Sequence, residues 1–135
     1  MNILPQPTEV TLHQLSKVLE IAFDDGVRYK LPFEFLRVHS PSAEVRGHGP
    51  GQEILQVGKR DVMLTAIEPS GSYAIQLVFD DGHDTGLYTW EYLRNLGMHQ
   101  DALWQDYLRK IEATGASREP GLHEKVIPAP KGCGA

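Results

Sequence analysis

The sequence predicts an α+β domain: a small antiparallel-rich sheet built from two related β-hairpins, with a short helix and C-terminal helices on one side. Three observations predict it. The chain repeats a phrase: residues 19–37 read LEIAFDDGVRYKLPFEFLR and residues 75–94 read IQLVFDDGHDTGLYTWEYLR. Each copy holds a Phe-Asp-Asp-Gly turn and a closing Leu-Arg, and one extra residue near Gly86 is the only length difference. Apolar residues enter both turns with a period of two, as Leu19, Ile21 and Phe23 and as Ile75, Leu77 and Phe79, the pattern of a half-buried strand. Leu103, Tyr107 and Ile111 then recur at helical spacing beside Trp104 and Leu108, which reads as a core-facing stripe.

The elements follow in order. Residues 1–9 are Pro-bearing and polar and are expected to form a flexible arm; Val10–His13 makes a short edge strand. Lys17–Phe23 is a strand, Asp24-Asp25-Gly26 a hairpin turn and Val27–Leu31 its return, because Gly accepts a positive φ and Asp tolerates one. Pro32 opens a short helix over Phe33–Arg37, where its missing N–H costs nothing. Residues 38–54 (VHSPSAEVRGHGPGQEI) read as a long loop, a place where binding residues concentrate. Leu55–Gly58 is a brief strand or turn, Asp61–Ile67 a strand, Pro69–Ser72 a turn, Tyr73–Phe79 a strand and Thr85–Tyr88 its return. Thr89 caps a helix from Trp90, with Glu91 well placed in its first turn, and Gly97 stops it. A second helix runs from about Asp101, read as its cap, to Ala113 and ends at Gly115. Residues 116–135 lack apolar periodicity and are expected to be a disordered tail, which leaves 10–115 as a single domain.

Bulk properties exclude several classes. A chain of 135 residues, 41% hydrophobic and 23% charged, suits one globular core. Its net charge of −5 argues against a nucleic-acid surface, since phosphate binding needs clustered Lys and Arg. The lone Cys133 can make no internal disulfide and no thiolate metal cluster. No signal peptide and no apolar run of ~20 residues is visible, so a cytoplasmic protein without a membrane span is expected.

The candidates for chemistry are few. Asp24, Asp25, Asp80 and Asp81 are explained by turn chemistry. His99-Gln100-Asp101 has the spacing of half a facial iron triad but lies at a helix entry. Ser40 and Ser42 lack a strand–Ser–helix elbow, and Gly47, Gly49 and Gly51 are not placed as a phosphate cradle. Arg37 and Arg94, related by the repeat, suit pairing with structural Asp or Glu. The expected binding surface is the long loop, through Arg37, His39, Ser40, Ser42, Glu44, Arg46 and His48. No metal is expected; the alternative is Zn or Fe held by His83 with the loop histidines His39 and His48. No nucleophile–base pair or cofactor motif appears, so the chain is expected not to be an enzyme.

PTEVTLHQLSKVLEIAFDDGVRYKLPFEFLRVHSPSAEVRGHGPG, followed by AIQLVFDDGHDTGLYTWEYLR, resembles the DUF971 family, the γ-butyrobetaine hydroxylase-like N-terminal domain. The resemblance covers about residues 7–112. It implies a small α+β domain found alone in bacterial proteins, fused ahead of the 2-oxoglutarate-dependent barrel of γ-butyrobetaine and trimethyllysine hydroxylases, or placed after the nucleotide-binding domain of some Mrp-like iron–sulfur carriers. In the hydroxylases the domain holds a structural zinc through three cysteines and a histidine. Those positions fall here at about Ser40, Ser42, Val45 and His83, so the three thiolates are missing. The resemblance therefore implies a non-catalytic accessory or protein-binding module with the zinc site lost. Its partner is expected to be a protein, from an iron or iron–sulfur enzyme system.

Overall fold

The computed structural model describes residues 5–47 and 51–120. Among the described residues six strands form two three-stranded antiparallel sheets, each in chain order. The first holds β1 (Pro7–His13), β2 (Val18–Phe23) and β3 (Arg28–Pro32); the second holds β4 (Leu64–Ser70), β5 (Ala74–Phe79) and β6 (Leu87–Thr89). Helices α1 (Phe33–Val38) and α2 (Ala43–Arg46) lie between the sheets in sequence, and α3 (Trp90–Met98) and α4 (Gln100–Thr114) follow them. The α+β reading holds, with the strands divided into two sheets by the repeat itself.

The repeat extends further than the shared phrase. β1 and β4 each pair with the next strand, and each carries a register shift, at Pro7/Glu9 and at Leu64/Ala66, beside the pairings with Phe23 and Phe79. The turns share their backbone bonding, with Gly26 N on Phe23 O and Gly82 N on Phe79 O. Gly26 and Gly82 have φ of 88° and 91°, a region that disfavours any Cβ. Val27 N donates to Asp25 Oδ1 at 3.2 Å, and His83 N to Asp81 Oδ1 at 3.1 Å. The repeating unit is thus three strands and a helix.

One core joins the halves. Leu19, Ile21, Phe23, Leu31, Phe33 and Leu36 from the first pack with Leu64, Ile75, Leu77, Phe79, Tyr88, Leu93 and Leu96 from the second. A smaller cluster of Val38, Tyr107 and Ile111 lies under α4, so the α4 stripe is core. The halves also exchange ion pairs. Arg37 Nε of the first donates to Asp81 Oδ2 of the second at 2.9 Å, and Arg94 Nη2 of the second donates to Asp25 Oδ2 of the first at 2.6 Å. Each closing Leu-Arg grips the other copy's turn.

Several expectations need correction. Residues 7–9 belong to β1 and Asp24 N donates to Gln6 O, so this stretch is not part of a flexible arm; residues 1–4 lie outside the described residues. Gly97 lies inside α3, where a Cβ would collide with the Tyr29 ring; its role is close packing. His99 is the N-cap of α4 and makes no side-chain cap bond, while Asp101 sits in the first turn. The long loop contains α2, capped by Ser42, whose Oγ accepts from Glu44 N. The chain beyond Gly115 also folds back. Ser117 O and Arg118 O accept from Gly58 N and Arg60 N, both at 2.9 Å. Arg118 forks both oxygens of Glu34 at 2.7 Å, and Glu34 is only 7% exposed. The domain therefore includes Arg118, and the expected tail from 121 lies outside the described residues.

Candidate functional site

The segment after α1 lies against the second Asp-Asp-Gly turn because Arg37, at the end of α1, is drawn to Asp81. Arg37 is 6% exposed and also donates to Gln56 Oε1 at 3.0 Å. Lys59 Nζ reaches the same Asp81 oxygen at 2.6 Å. Burial works to raise the Asp81 pKa, but the Lys59 hydrogen bond, the His83 amide and Arg37 outweigh it and hold the carboxyl below its usual range.

Anchored there, the segment meets His83. Ser40 Oγ lies 2.8 Å from His83 Nε2, and His83 Nδ1 lies 3.0 Å from Glu44 Oε1. Burial, then the Arg37 charge, pushes the His83 pKa down, so the ring is neutral at pH 7. An ionised carboxylate only accepts, so Nδ1–H donates to Glu44 and Nε2 accepts from the Ser40 hydroxyl. Ser40 Oγ in turn accepts from Ser42 N at 3.2 Å. Ser42 Oγ meets Thr85 Oγ1 at 2.7 Å, a second tie to the same hairpin. Above Ser40 lies Gly86, where a Cβ would collide with the Ser40 Oγ.

On the other face of the segment is a pocket of ≈ 680 Å³. Val38, Val45, Leu55 and Tyr107 give it apolar walls, and His39, Arg46, Glu53 and Lys110 lie among its polar lining. His39 Nδ1 donates to Phe35 O at 2.9 Å. Burial, joined by Lys110, lowers its pKa, and outweighs the Phe35 hydrogen bond and Asp106, which act to raise it. Tyr92 OH donates to His39 O and Tyr107 OH to Gln56 O, both at 2.6 Å. Burial pushes the Tyr107 hydroxyl up to about 12.

The expected site residues thus divide by face. Ser40, Ser42 and Glu44 gather at His83, with Arg37 beside them, and Arg37, Ser40 and Ser42 are buried rather than presented at a surface. His39 and Arg46 line the pocket, which Ser40 also borders. His48 lies outside the described residues. His39 and His83 turn to different partners, Phe35 O on one side and Ser40 with Glu44 on the other. No three His, Cys, Asp or Glu among the described residues are grouped to hold a metal. Sequence reasoning missed Thr85, Gly86, Gln56, Tyr92 and Tyr107. The extra residue near Gly86 was the one visible signal at this place.

The family model described as gamma-butyrobetaine hydroxylase-like, N-terminal, matches residues 10–94. The chain belongs to this family. A crystal structure of a protein of unknown function from Acidithiobacillus ferrooxidans ATCC 23270, assigned to the DUF971 family, is 42% identical to it. That match covers 68% of this chain and 92% of the other, with a TM-score of 0.58. An NMR solution structure of a further protein is 49% identical, covers 89% of this chain and 94% of its own, and has a TM-score of 0.76. A second is 48% identical with a TM-score of 0.75, over 90% and 93% of the two chains. No curated protein matches significantly. The four positions at which the DUF971 resemblance implies zinc ligands are here Ser40, Ser42, Val45 and His83. The donor set does not fit zinc: hydroxyls are neutral, valine has no donor, and both His83 nitrogens are already hydrogen-bonded.

Proposed function

We propose that the chain is a non-catalytic binding module in which hydrogen bonds have replaced the family's zinc, and that the segment between α1 and β4 carries its contact surface. The supporting observation is how Ser40, His83 and Glu44 are connected and closed off. They have the linkage of a nucleophile, base and orienting acid. Yet Ser40 is 1% exposed, its Oγ is already engaged by His83 Nε2 and Ser42 N, and Gly86 closes over it, which leaves Oγ little room for an electrophilic carbon. What the linkage does is fasten the segment to the second hairpin, the task the implied zinc would perform. Outward, the same segment offers Glu44, Arg46, Glu53 and Ile54, all exposed. Its partner is a protein, and by family analogy one from an iron or iron–sulfur enzyme system in the cytoplasm. No helix among the described residues is long and apolar enough to cross a membrane.

Two measurements test this. Tag-free protein should carry less than about a tenth of an equivalent of zinc or iron, with no rise in Tm on adding either; near-stoichiometric metal lost in His83→Gln would replace the reading with the His83-centred metal site. Cross-linking capture from native lysate should return a specific protein with wild type and lose it with Arg46→Glu, while Lys30→Glu on exposed β3 retains it. Capture indifferent to Arg46→Glu would remove the proposed surface.

A further inference from the structure

The pocket beside His39 leaves a few of its polar side chains without a polar partner among the described residues. Most polar side chains lining it are satisfied internally: Tyr92, Tyr107, Gln56 and Ser40 by hydrogen bonds, and Lys110 by Asp106 at 3.1 Å. Arg46 is not. Its guanidinium stands 5.1 Å over the Tyr92 ring, and among the described residues no carboxylate lies within ion-pair distance of it. The Tyr92 ring is itself held by its hydroxyl on His39 O, so the guanidinium is pre-oriented at the pocket, and its donors make no hydrogen bond to the described residues. The second group is His39 Nε2. Nδ1–H is committed to Phe35 O, so in the neutral ring Nε2 carries a lone pair. No buried polar atom among the described residues lacks a partner; Nε2 has none, so it is open, and His39 lines this pocket. Glu53 is also unpaired, but it is exposed on the rim.

We propose that this pocket binds a small organic acid that also carries a hydroxyl or amino donor. The acid group sits on the Arg46 fork, the donor on His39 Nε2, and the apolar body against Val38, Leu55 and Tyr107. A planar fork beside an apolar wall selects a carboxylate attached to a hydrophobic body over a bare anion. The volume of ≈ 680 Å³ accommodates a ring-sized ligand. Burial keeps His39 neutral and therefore accepting at pH 7. The inference deepens the binding-module reading and rests on it, since it names what one face of the same segment recognises.

The test is an NMR titration of the full chain at pH 7 with four probes. These are 4-hydroxyphenylacetate (acid and donor), phenylacetate (acid alone), 4-hydroxyphenethyl alcohol (donor alone) and inorganic phosphate. The first should shift His39 and Tyr107 resonances saturably, and the two single-feature probes should each bind about tenfold more weakly. Arg46→Gln, an exposed change, should abolish the preference for the acid over the alcohol at unchanged Tm. Glu53→Gln should leave binding equal or tighter. The proposal is overturned by an absence of saturable shifts up to about 20 mM, by phosphate binding as well as 4-hydroxyphenylacetate, or by an Arg46→Gln protein that keeps the preference. Failure here with Arg46-dependent protein capture intact removes the ligand but not the module. Saturable probe binding with capture lost removes the partner reading alone.

Discussion

At His83 the two halves of the chain part company, for the matching place after the first turn is Val27. The valine needs nothing polar, whereas the imidazole must be satisfied at both nitrogens, and Ser40 and Glu44 do this. Because burial first, then Arg37, depresses the folded pKa of His83, the unfolded chain, near 6.5, takes up a proton more readily. The stability from the neutral ring is complete above about pH 6.5 and is lost as pH falls towards the folded pKa. His39, depressed by its own burial, has the same sign. Asp81 and Asp25, with lowered pKa values, also lose stability on acidification, but in the carboxylate range below about pH 4. The urea midpoint should therefore fall between pH 7 and 5, and fall less in His83→Gln and in His39→Gln; an unchanged slope in both would remove this account. Burial also separates the exchanged ion pairs. Arg37→Met removes a buried guanidinium and leaves Asp81, with 20% of its side chain exposed, to Lys59 and the His83 amide, and should cost about 2 kcal/mol. Arg94→Met breaks a more exposed pair and should lower the urea midpoint less than Arg37→Met does, both read from urea unfolding. The sequence already set Arg37 and Arg94 among structural ion pairs. That each would take the other copy's aspartate was not legible, because it depends on how the halves face one another.

The elements that sequence reasoning placed well are those with a local cause. Thr89 accepts from Tyr92 N at 3.0 Å, as its position before Trp90 predicted, and Thr89→Ala should cost about 1 kcal/mol. Gly115 ends α4 in the left-handed region at φ 72°, again a local signal. α2 has a local cap in Ser42 but no local pattern to mark it. Four residues carry no periodicity, and the helix exists because Ser42 caps it while also bonding Thr85, a neighbour 43 positions away. Gly97 was misread for a related reason. Its chain position suits a helix stop, but α3 lies against β3 as well as β6, and only a residue without Cβ fits against Tyr29. Gly97→Ala weighs two effects against each other. Helix propensity gains about 1 kcal/mol, while overlap with a ring in a packed core costs about 1–3 kcal/mol. The overlap should win, so thermal unfolding of Gly97→Ala should show a lower Tm; a raised Tm would mean that the α3–β3 contact is looser than described.

As a whole the molecule is two copies of one unit locked by reciprocal contacts, with an asymmetric strap added. The reciprocal part could be glimpsed in the repeated phrase. The strap could not, since Ser117, Arg118 and Glu119 sit in a stretch without periodicity and act through partners far away in sequence. Arg118 reaches Glu34 across 84 positions and lies 5.1 Å from the Trp104 ring centre. Glu34 has only 8% of its side chain exposed and Arg118 31%, so the carboxylate depends on this one fork. A chain stopped at Gly115 would leave Glu34 buried without a counter-charge, and removing one partner of such a pair costs about 3–5 kcal/mol. Arg118→Met in the full chain should reproduce most of that loss. The double variant Glu34→Gln/Arg118→Met should recover part of it, because no unpaired buried charge remains. The shape of this cycle separates a charge clamp from simple coverage of Trp104. If the strap acted only by covering the ring, Arg118→Met, which keeps an apolar side chain there, would unfold at the wild-type urea concentration, and the Glu34 substitution would add no recovery.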